Sequence, residues 1–212
     1  VEHVLAALAG LQIDNCEIRV DNPEMPGCDG SSLPFVSALQ DVVVPQSAIR
    51  EGIRVPKPIR VGDERVWAEA RPPVGDSFVV ESHIDYGTRG PIGRQSLLLS
   101  VNPDSFQQEL APARTFLLDS EADWLRRQGL GARVTCRDLL VFDQEGPIDN
   151  SLRFADECVR HKALDMVGDL ALAGCDLVGH FIAHCSGHRL NAQLVTAVLE
   201  AVEAQKELRK SA

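Results

Sequence analysis

Residues 154–174, Phe154-Ala155-Asp156-Glu157-Cys158-Val159-Arg160-His161-Lys162-Ala163-Leu164-Asp165-Met166-Val167-Gly168-Asp169-Leu170-Ala171-Leu172-Ala173-Gly174, read as one long helix of about 154 to 173 with Gly174 as its stop. Inside it His161, Asp165 and Asp169 follow one another at intervals of four. Four residues advance a helix by roughly 400°, so these side chains leave from nearly one stripe. An imidazole and a carboxylate so placed have metal-ligand geometry. The stretch 176 to 184 then reads as a strand, and Asn191 as the N-cap of a terminal helix reaching about Arg209.

Working back toward the N-terminus, a short unit precedes the long helix: a helix at 119 to 128 stopped by Gly129, and a strand at 138 to 142. Asn102-Pro103 opens a helix with Pro at its first position, leading to Phe106 and Leu110. Strands are expected at Ile53 to Val61, Arg65 to Ala70 and Phe78 to Ile84, separated by Gly, Pro and Asp. Residues 2 to 9 read as a helix ended by Gly10, and 12 to 20 as a strand turning Ile13, Ile18 and Val20 inward. A loop rich in turn formers spans Asn22 to Ser31, and a helix follows at about 33 to 42. Strands interspersed with helices and joined by short turns predict an α+β fold rather than a doubly wound sheet. Helix, strand, loop and helix are too little to stand alone, so the first 45 residues read as the tail of an N-terminally truncated domain.

The bulk numbers exclude several function classes. A chain of 212 residues buries roughly 70% of its unfolded surface, enough for a real core in one domain or two small ones. Its net charge of −10 argues against nucleic acid as a partner, because such binding draws its affinity from clustered Lys and Arg. Arg114, Arg153, Arg160, Lys162 and Arg189 nonetheless lie close in sequence to the candidate site and can form a local basic pocket. No apolar run approaches the roughly 18 residues of a transmembrane segment. Six cysteines without a Cys-x-x-Cys pair, and no visible signal peptide, lead to the expectation of a reduced, cytoplasmic protein without thiolate zinc.

Hydrolytic zinc takes three protein ligands from His and carboxylate and leaves a position for water, whose pKa falls to about 7. His161 and Asp165 supply two ligands. His3 is the best third, because Glu2 before it is a carboxylate placed to take a proton from water. His188, in Ser186-Gly187-His188, suits protonation of a departing nitrogen, and Asp169 nearby would raise its pKa. Plainer readings stand beside these: a solvated His/Asp pair, a first-turn carboxylate that answers the helix dipole, and a turn before an N-cap. His180 and His184 compete as ligands but read better as residues flanking a sheet, His83 reads as structural, and Cys158 and Cys185 as packing thiols.

A series of motifs then runs through almost the whole chain: Val1-Glu2-His3 with Ala6-Ala7-Leu8-Ala9-Gly10, Pro23-Glu24-x-Pro26-x-x-Asp29-Gly30-Ser31, Ala113-Arg114-Thr115-Phe116, Leu152-Arg153-Phe154 running into Glu157, Arg160-His161-Lys162-x-Leu164-Asp165-x-x-Gly168-Asp169-Leu170, and Ser186-Gly187-His188-x-Leu190-Asn191. In this order the series resembles the UDP-3-O-acyl-N-acetylglucosamine deacetylases, the zinc amidases of lipid A biosynthesis. The resemblance implies a two-domain α/β sandwich, each domain layering a sheet on helices, with zinc between them. Residues 1–50 would be the C-terminal part of the first domain and 51–212 the second, with a βαβ-like insert at about 117–142 that shapes a hydrophobic passage for an acyl chain. It implies His3, His161 and Asp165 as zinc ligands and Glu2 as general base. Thr115 would stabilise the oxyanion, Lys162 supply a cation, His188 act as general acid and Asp169 orient it. The implied substrate is an acylated UDP-sugar, hydrolysed at its acetamide to acetate and the free amine by a monomer; iron(II) accepts the same ligands as zinc. Within the insert, Gly131-Ala132-Arg133-Val134-Thr135-Cys136-Arg137-Asp138 departs from the small, Asn-bearing turn of the family. Two other readings stay open: a non-catalytic fragment or homologue that binds zinc or nucleotide, and another N-acetyl sugar amidase.

Overall fold

The computed structural model describes residues 1–210 apart from Ile49, Arg89, Leu130, Ala132, Arg133 and Arg137; Ser211 and Ala212 also lie outside it. Helices α1 (Glu2–Gly10) and α2 (Leu33–Leu39) come first, then strands β1 (Ile53–Arg54), β2 (Ile59–Gly62), β3 (Trp67–Arg71), β4 (Phe78–Asp85) and β5 (Arg94–Ser100). A short helix α3 (Pro103–Ser105) widens into a π-helical turn at Phe106–Leu110. After β6 (Phe116–Leu118), α4 (Asp119–Arg127) and β7 (Leu140–Phe142) come α5 (Glu157–Leu170), β8 (Leu177–His184) and α6 (His188–Lys210).

The main sheet is mixed, in the order β2-β3-β8-β4-β5, with β8 at its centre. β8 runs parallel to β4 on one edge and antiparallel to β3 on the other, and its first residues pair with β1. Alternation sorts the strand residues onto two faces. Ala68, Ala70, Val80, Phe181 and Ala183 turn inward and form one core with Leu164 and Val167 of α5 and Leu194 and Val198 of α6. Trp67, Glu81, His83, His180 and His184 lie on the opposite face. There His83 reaches Glu81 Oε1 at 2.7 Å and Ser96 Oγ at 2.8 Å, and His184 stacks on Trp67 with ring centroids 5.6 Å apart. These three histidines flank the sheet, as expected, rather than joining the His161 helix.

α5 is covered on nearly every side. Of its 14 residues only Arg160 and Lys162 are not buried, because the sheet takes one side and α1 crosses the other. The crossing is close for a reason visible in the residues: α1 presents Val4, Ala6, Ala7 and Gly10, and α5 answers with Gly168. A Cβ on Gly168 would run into the backbone carbonyl of Glu2 and lie 3.2 Å from the Ala6 nitrogen. Glycine there brings the two backbones into contact.

Several expectations need correction. Residues 12–20 form no strand: after Gln12 the chain makes no regular pairing, and Ile18 and Val20 are 46% and 52% exposed. A strand needs a neighbour for its amides, and among the described residues nothing pairs with this segment. The run from Ile53 to Val61 is two short strands, since Pro56 and Pro58 have no N–H to give a ladder. β5 was not expected at all; its three consecutive leucines hide an alternation in which Leu97 and Leu99 face the core and Leu98 is 64% exposed. α5 starts at Glu157 rather than 154 and closes in a 3-10 turn at Ala171–Ala173 before Gly174. Asn191 is no N-cap, since α6 begins at His188 and Asn191 is buried within its first turn. The segment 116–142 forms a β6-α4-β7 unit with its strands parallel; the sequence pattern predicts its helix and second strand but not β6, and Ala132, Arg133 and Arg137 of its divergent turn lie outside the described residues.

Gly168→Ala is expected to lower the free energy of unfolding by about 1–3 kcal/mol or more through overpacking at the α1–α5 crossing, measured by urea denaturation. Gly27→Ala is the control, because a Cβ at that exposed position meets nothing within 4 Å, and its midpoint should stay near that of the parent.

Candidate functional site

Glu157, His161, Asp165 and Asp169 succeed one another every four residues along α5 and are 0%, 1%, 3% and 6% exposed. A buried helix with a polar stripe must find a partner for each of these groups. Glu157 is fully served: Oε1 accepts from the backbone N–H of Arg114 at 3.1 Å and from Arg114 Nε at 2.8 Å, and Oε2 from Arg114 Nη2 at 3.1 Å and the Arg153 N–H at 2.6 Å. His161 engages the Ala113 carbonyl through Nδ1 at 3.1 Å. That bond assigns the proton to Nδ1 and leaves Nε2 as a lone pair.

α1 brings His3 to the same point from the other end of the chain. The rings of His3 and His161 meet edge to face with centroids 5.0 Å apart. His3 Nε2 lies 3.8 Å from Asp165 Oδ1, and His161 Nε2 lies 3.2 Å from the same oxygen. The buried hydroxyl of Ser32 donates to the His3 carbonyl at 2.7 Å and so ties the first turn of α1 to the loop before α2. That loop is tied down in turn, because Arg153 donates to Asp29 Oδ2 at 2.7 Å and to the Pro112 carbonyl at 2.8 Å.

His3 Nε2, His161 Nε2 and Asp165 Oδ1 are buried and make no hydrogen bond; the 3.2 Å pair is not aligned as one. Leaving one buried polar atom unmet costs about 1–3 kcal/mol, and here three such atoms lie within 4.8 Å of one another. Two imidazole nitrogens and a carboxylate oxygen with free lone pairs fit a divalent cation. Burial, followed by the neighbouring His161, pushes His3 down to about 4, so its ring is neutral at neutral pH and able to ligate. Burial opposes ionisation of Asp165, but His161 and Lys162 beside it more than offset that and hold its carboxyl well below the usual range. Lys162 Nζ donates to Asp165 Oδ2 at 2.8 Å, which leaves Oδ1 free for the shared point. Burial alone would lower the Lys162 ammonium, but the Asp165 carboxylate outweighs it and the group is shifted upward.

Beside this triad, Glu2, Asp165 and His188 also bring oxygen and nitrogen atoms within 4.8 Å of one another. His188, at the start of α6, turns Nδ1 to Asp169 Oδ2 at 2.9 Å and Nε2 toward Glu2 Oε1 at 3.9 Å. Asp169 also accepts from the Asn191 amide at 2.8 Å, and Asn191 in turn accepts from Ser186 Oγ at 2.6 Å. The hydrogen bond to Asp169 is the main cause that raises His188 above its ordinary pKa.

Thr115 is half-buried on the segment that carries the Ala113 carbonyl. Its N–H donates to the Gly30 carbonyl at 2.7 Å and its own carbonyl accepts from the Leu140 N–H at 2.9 Å. Gly30 has φ +78°, and a Cβ there would lie 2.6 Å from the Asp138 carbonyl oxygen. The next residue, Phe116, sets its ring 6.4 Å from that of His161 and 5.7 Å from Lys162 Nζ. Sequence reasoning gave Glu157 no role of its own, placed Arg114 only in a local basic pocket, read Asn191 as an N-cap, and did not mark Ser32 as a contact of α1. The spacing of four that marked His161, Asp165 and Asp169 extends back to Glu157 and was the available signal; nothing in the sequence marked the Ser32 bond.

A family model described as UDP-3-O-acyl N-acetylglycosamine deacetylase matches residues 1–200. The chain is 42% identical over 202 residues to the UDP-3-O-acyl-N-acetylglucosamine deacetylases of Brucella ovis, Brucella canis and Brucella suis, an alignment covering 94% of this chain and 70% of each relative. With that match running through Glu2-His3, the polar stripe of α5 and His188, the chain belongs to the UDP-3-O-acyl N-acetylglycosamine deacetylase family.

Proposed function

We propose that the chain hydrolyses the acetamide of UDP-3-O-acyl-N-acetylglucosamine to acetate and the free amine, a step of lipid A biosynthesis, with zinc held by His3, His161 and Asp165. One observation carries this reading: three buried donor atoms from opposite ends of the chain meet without hydrogen bonds, beside a carboxylate and an imidazole suited to be base and acid. Two imidazole nitrogens and one carboxylate oxygen are a donor set of hydrolytic zinc, and iron(II) is the competing ion. The ion, when bound, supplies Lewis acidity toward a carbonyl oxygen and toward water.

The chain's own residues supply the rest. Glu2 takes the proton from the water whose oxygen forms the new bond to the acetamide carbon. The Thr115 hydroxyl and the Lys162 ammonium meet the negative charge that grows on the acetamide oxygen, and loss of one such donor costs about 10²–10³ in rate. As the C–N bond breaks, His188 gives its Nε2 proton to the amine nitrogen. Asp169 acts on the other side of that ring: bound to Nδ1, it orients the imidazole and favours its protonated form. Leu117, Ala122, Leu125, Val134, Leu139 and Val141 border an apolar groove of about 120 Å³ in the β6–α4–β7 unit, which suits the acyl chain of the substrate.

Zinc-loaded protein is expected to release acetate from the acylated UDP-sugar in preference to UDP-N-acetylglucosamine, with activity lost on chelation and regained with zinc. Metal uptake without acetate from either sugar nucleotide would reject the amidase. Asp165→Ala should retain no stoichiometric metal by elemental analysis; a variant that keeps it removes Asp165 from the ligand set.

The pH dependence follows from His188. A general acid works protonated, so kcat should fall as pH rises through its raised pKa, and any stability its pairing with Asp169 contributes is present below the unfolded pKa and lost over the same rise. Asp169→Asn should move the basic limb of the kcat profile to lower pH; an unmoved limb assigns it to another group.

A further inference from the structure

We propose that Glu157 is a positioning residue for the metal centre, holding Arg114 so that the Ala113 carbonyl fixes the tautomer of His161 and Thr115 keeps its place beside it. The inference rests on the proposed role of His161 as a ligand, and it concerns a residue one helical turn away whose carboxylate oxygens are taken up by Arg114 and Arg153.

The geometry is specific. Glu157 is 0% exposed and Arg114 6%, and four N–H groups converge on the carboxylate, three of them from Arg114. Two parallel bonds from a planar guanidinium to a carboxylate fix orientation as well as distance. The remaining Arg114 donors are used on the same segment of chain, Nη1 on Asn150 Oδ1 at 2.9 Å and Nη2 on the Ser151 carbonyl at 2.7 Å. Because the backbone N–H of Arg114 is itself bound to Glu157, the peptide between Ala113 and Arg114 is clamped to the first turn of α5. The carbonyl of that same peptide accepts from His161 Nδ1, one turn further along the helix. A single carboxylate therefore sets where the acceptor for Nδ1–H stands, and thereby which imidazole nitrogen keeps a free lone pair. On the far side of Arg114, Thr115 follows directly in the chain, its N–H bound to the Gly30 carbonyl at 2.7 Å and its carbonyl to the Leu140 N–H at 2.9 Å.

Among the described residues, the contacts left to Arg114 once this charge is removed are an amide oxygen and a carbonyl, neither of them an anion. Glu157→Gln keeps the shape, removes the charge, and replaces one acceptor by an NH₂ group facing N–H donors. The peptide then loses its anchor and the Nδ1 acceptor moves.

The test uses the whole chain. Glu157→Gln is expected to weaken zinc binding by about 10–100-fold in a competition titration against a chromophoric chelator. In the metal-free protein, imidazole ¹⁵N spectra should show His161 protonated at Nδ1 in the parent and as a mixture of tautomers in the variant. With zinc saturating, kcat should fall while KM for the sugar nucleotide stays within about twofold. A role in stability alone would lower the melting temperature and leave zinc affinity and tautomer untouched below the transition, and that result overturns the proposal. Should Glu157→Gln fail to fold, Arg114→Lys, which keeps the charge and loses the planar fork, is read by the same two measurements and decides the same way. Failure of the parent to bind zinc would instead strike the proposed function, so the two failures are distinguishable.

Discussion

The crossing of α1 over α5 is the contact on which the site depends. A helix carrying Glu2 and His3 reaches His161 and Asp165 only if its backbone lies against the helix that bears them, and a side chain larger than hydrogen at position 168 would hold the two apart. The alanines of α1 serve the same end, since Ala6 and Ala7 are fully buried and add little bulk between the axes. Ser32 then fixes the crossing in register by bonding the His3 carbonyl. Packing of small residues and one hydroxyl thus carries the first-turn chemistry of α1 into a position its own sequence neighbours could not define.

α5 is where burial and charge are reconciled. Glu157, His161, Asp165 and Asp169 stand in an environment that penalises each of them, and each is met by a different device: a guanidinium fork, a backbone carbonyl, an ammonium, and an imidazole with an amide. What is left over after this pairing is one lone pair on His161, one on His3 and one oxygen of Asp165. Polar atoms do not collect unpaired at one buried point in a stable protein unless something else satisfies them there, which is why the leftovers say more about the site than the bonds do.

Much of the architecture could be read from the chain because the signals were local. Helical periodicity with a glycine stop gave α5, the Asn102-Pro103 pair gave α3, and Gly129 after the 119–128 pattern gave α4. Where reading failed, the deciding partner was remote. Among the described residues the 12–20 segment, with its alternating apolar residues, has no strand to lie beside, β5 shows three leucines whose two faces only the neighbouring strand distinguishes, and Asn191 looks like a cap until Asp169 claims its amide.

The sequence by itself determined the chemistry on offer: two carboxylates and an imidazole repeating every four residues on one helix, Glu2-His3 at the head of another, and His188 after a strand. Those identities and spacings follow from helix geometry and need no partner. Tertiary structure alone decided that His3, His161 and Asp165 share one point, that Glu157 binds the Arg114 N–H behind His161, and that His83, His180 and His184 stay on the other face of the sheet. The reason is physical: a spacing of four places neighbours along one helix, whereas convergence of residues 3 and 161 depends on how closely two backbones can pack, and that is set by Gly168, Ala6 and Ala7 acting together across the chain.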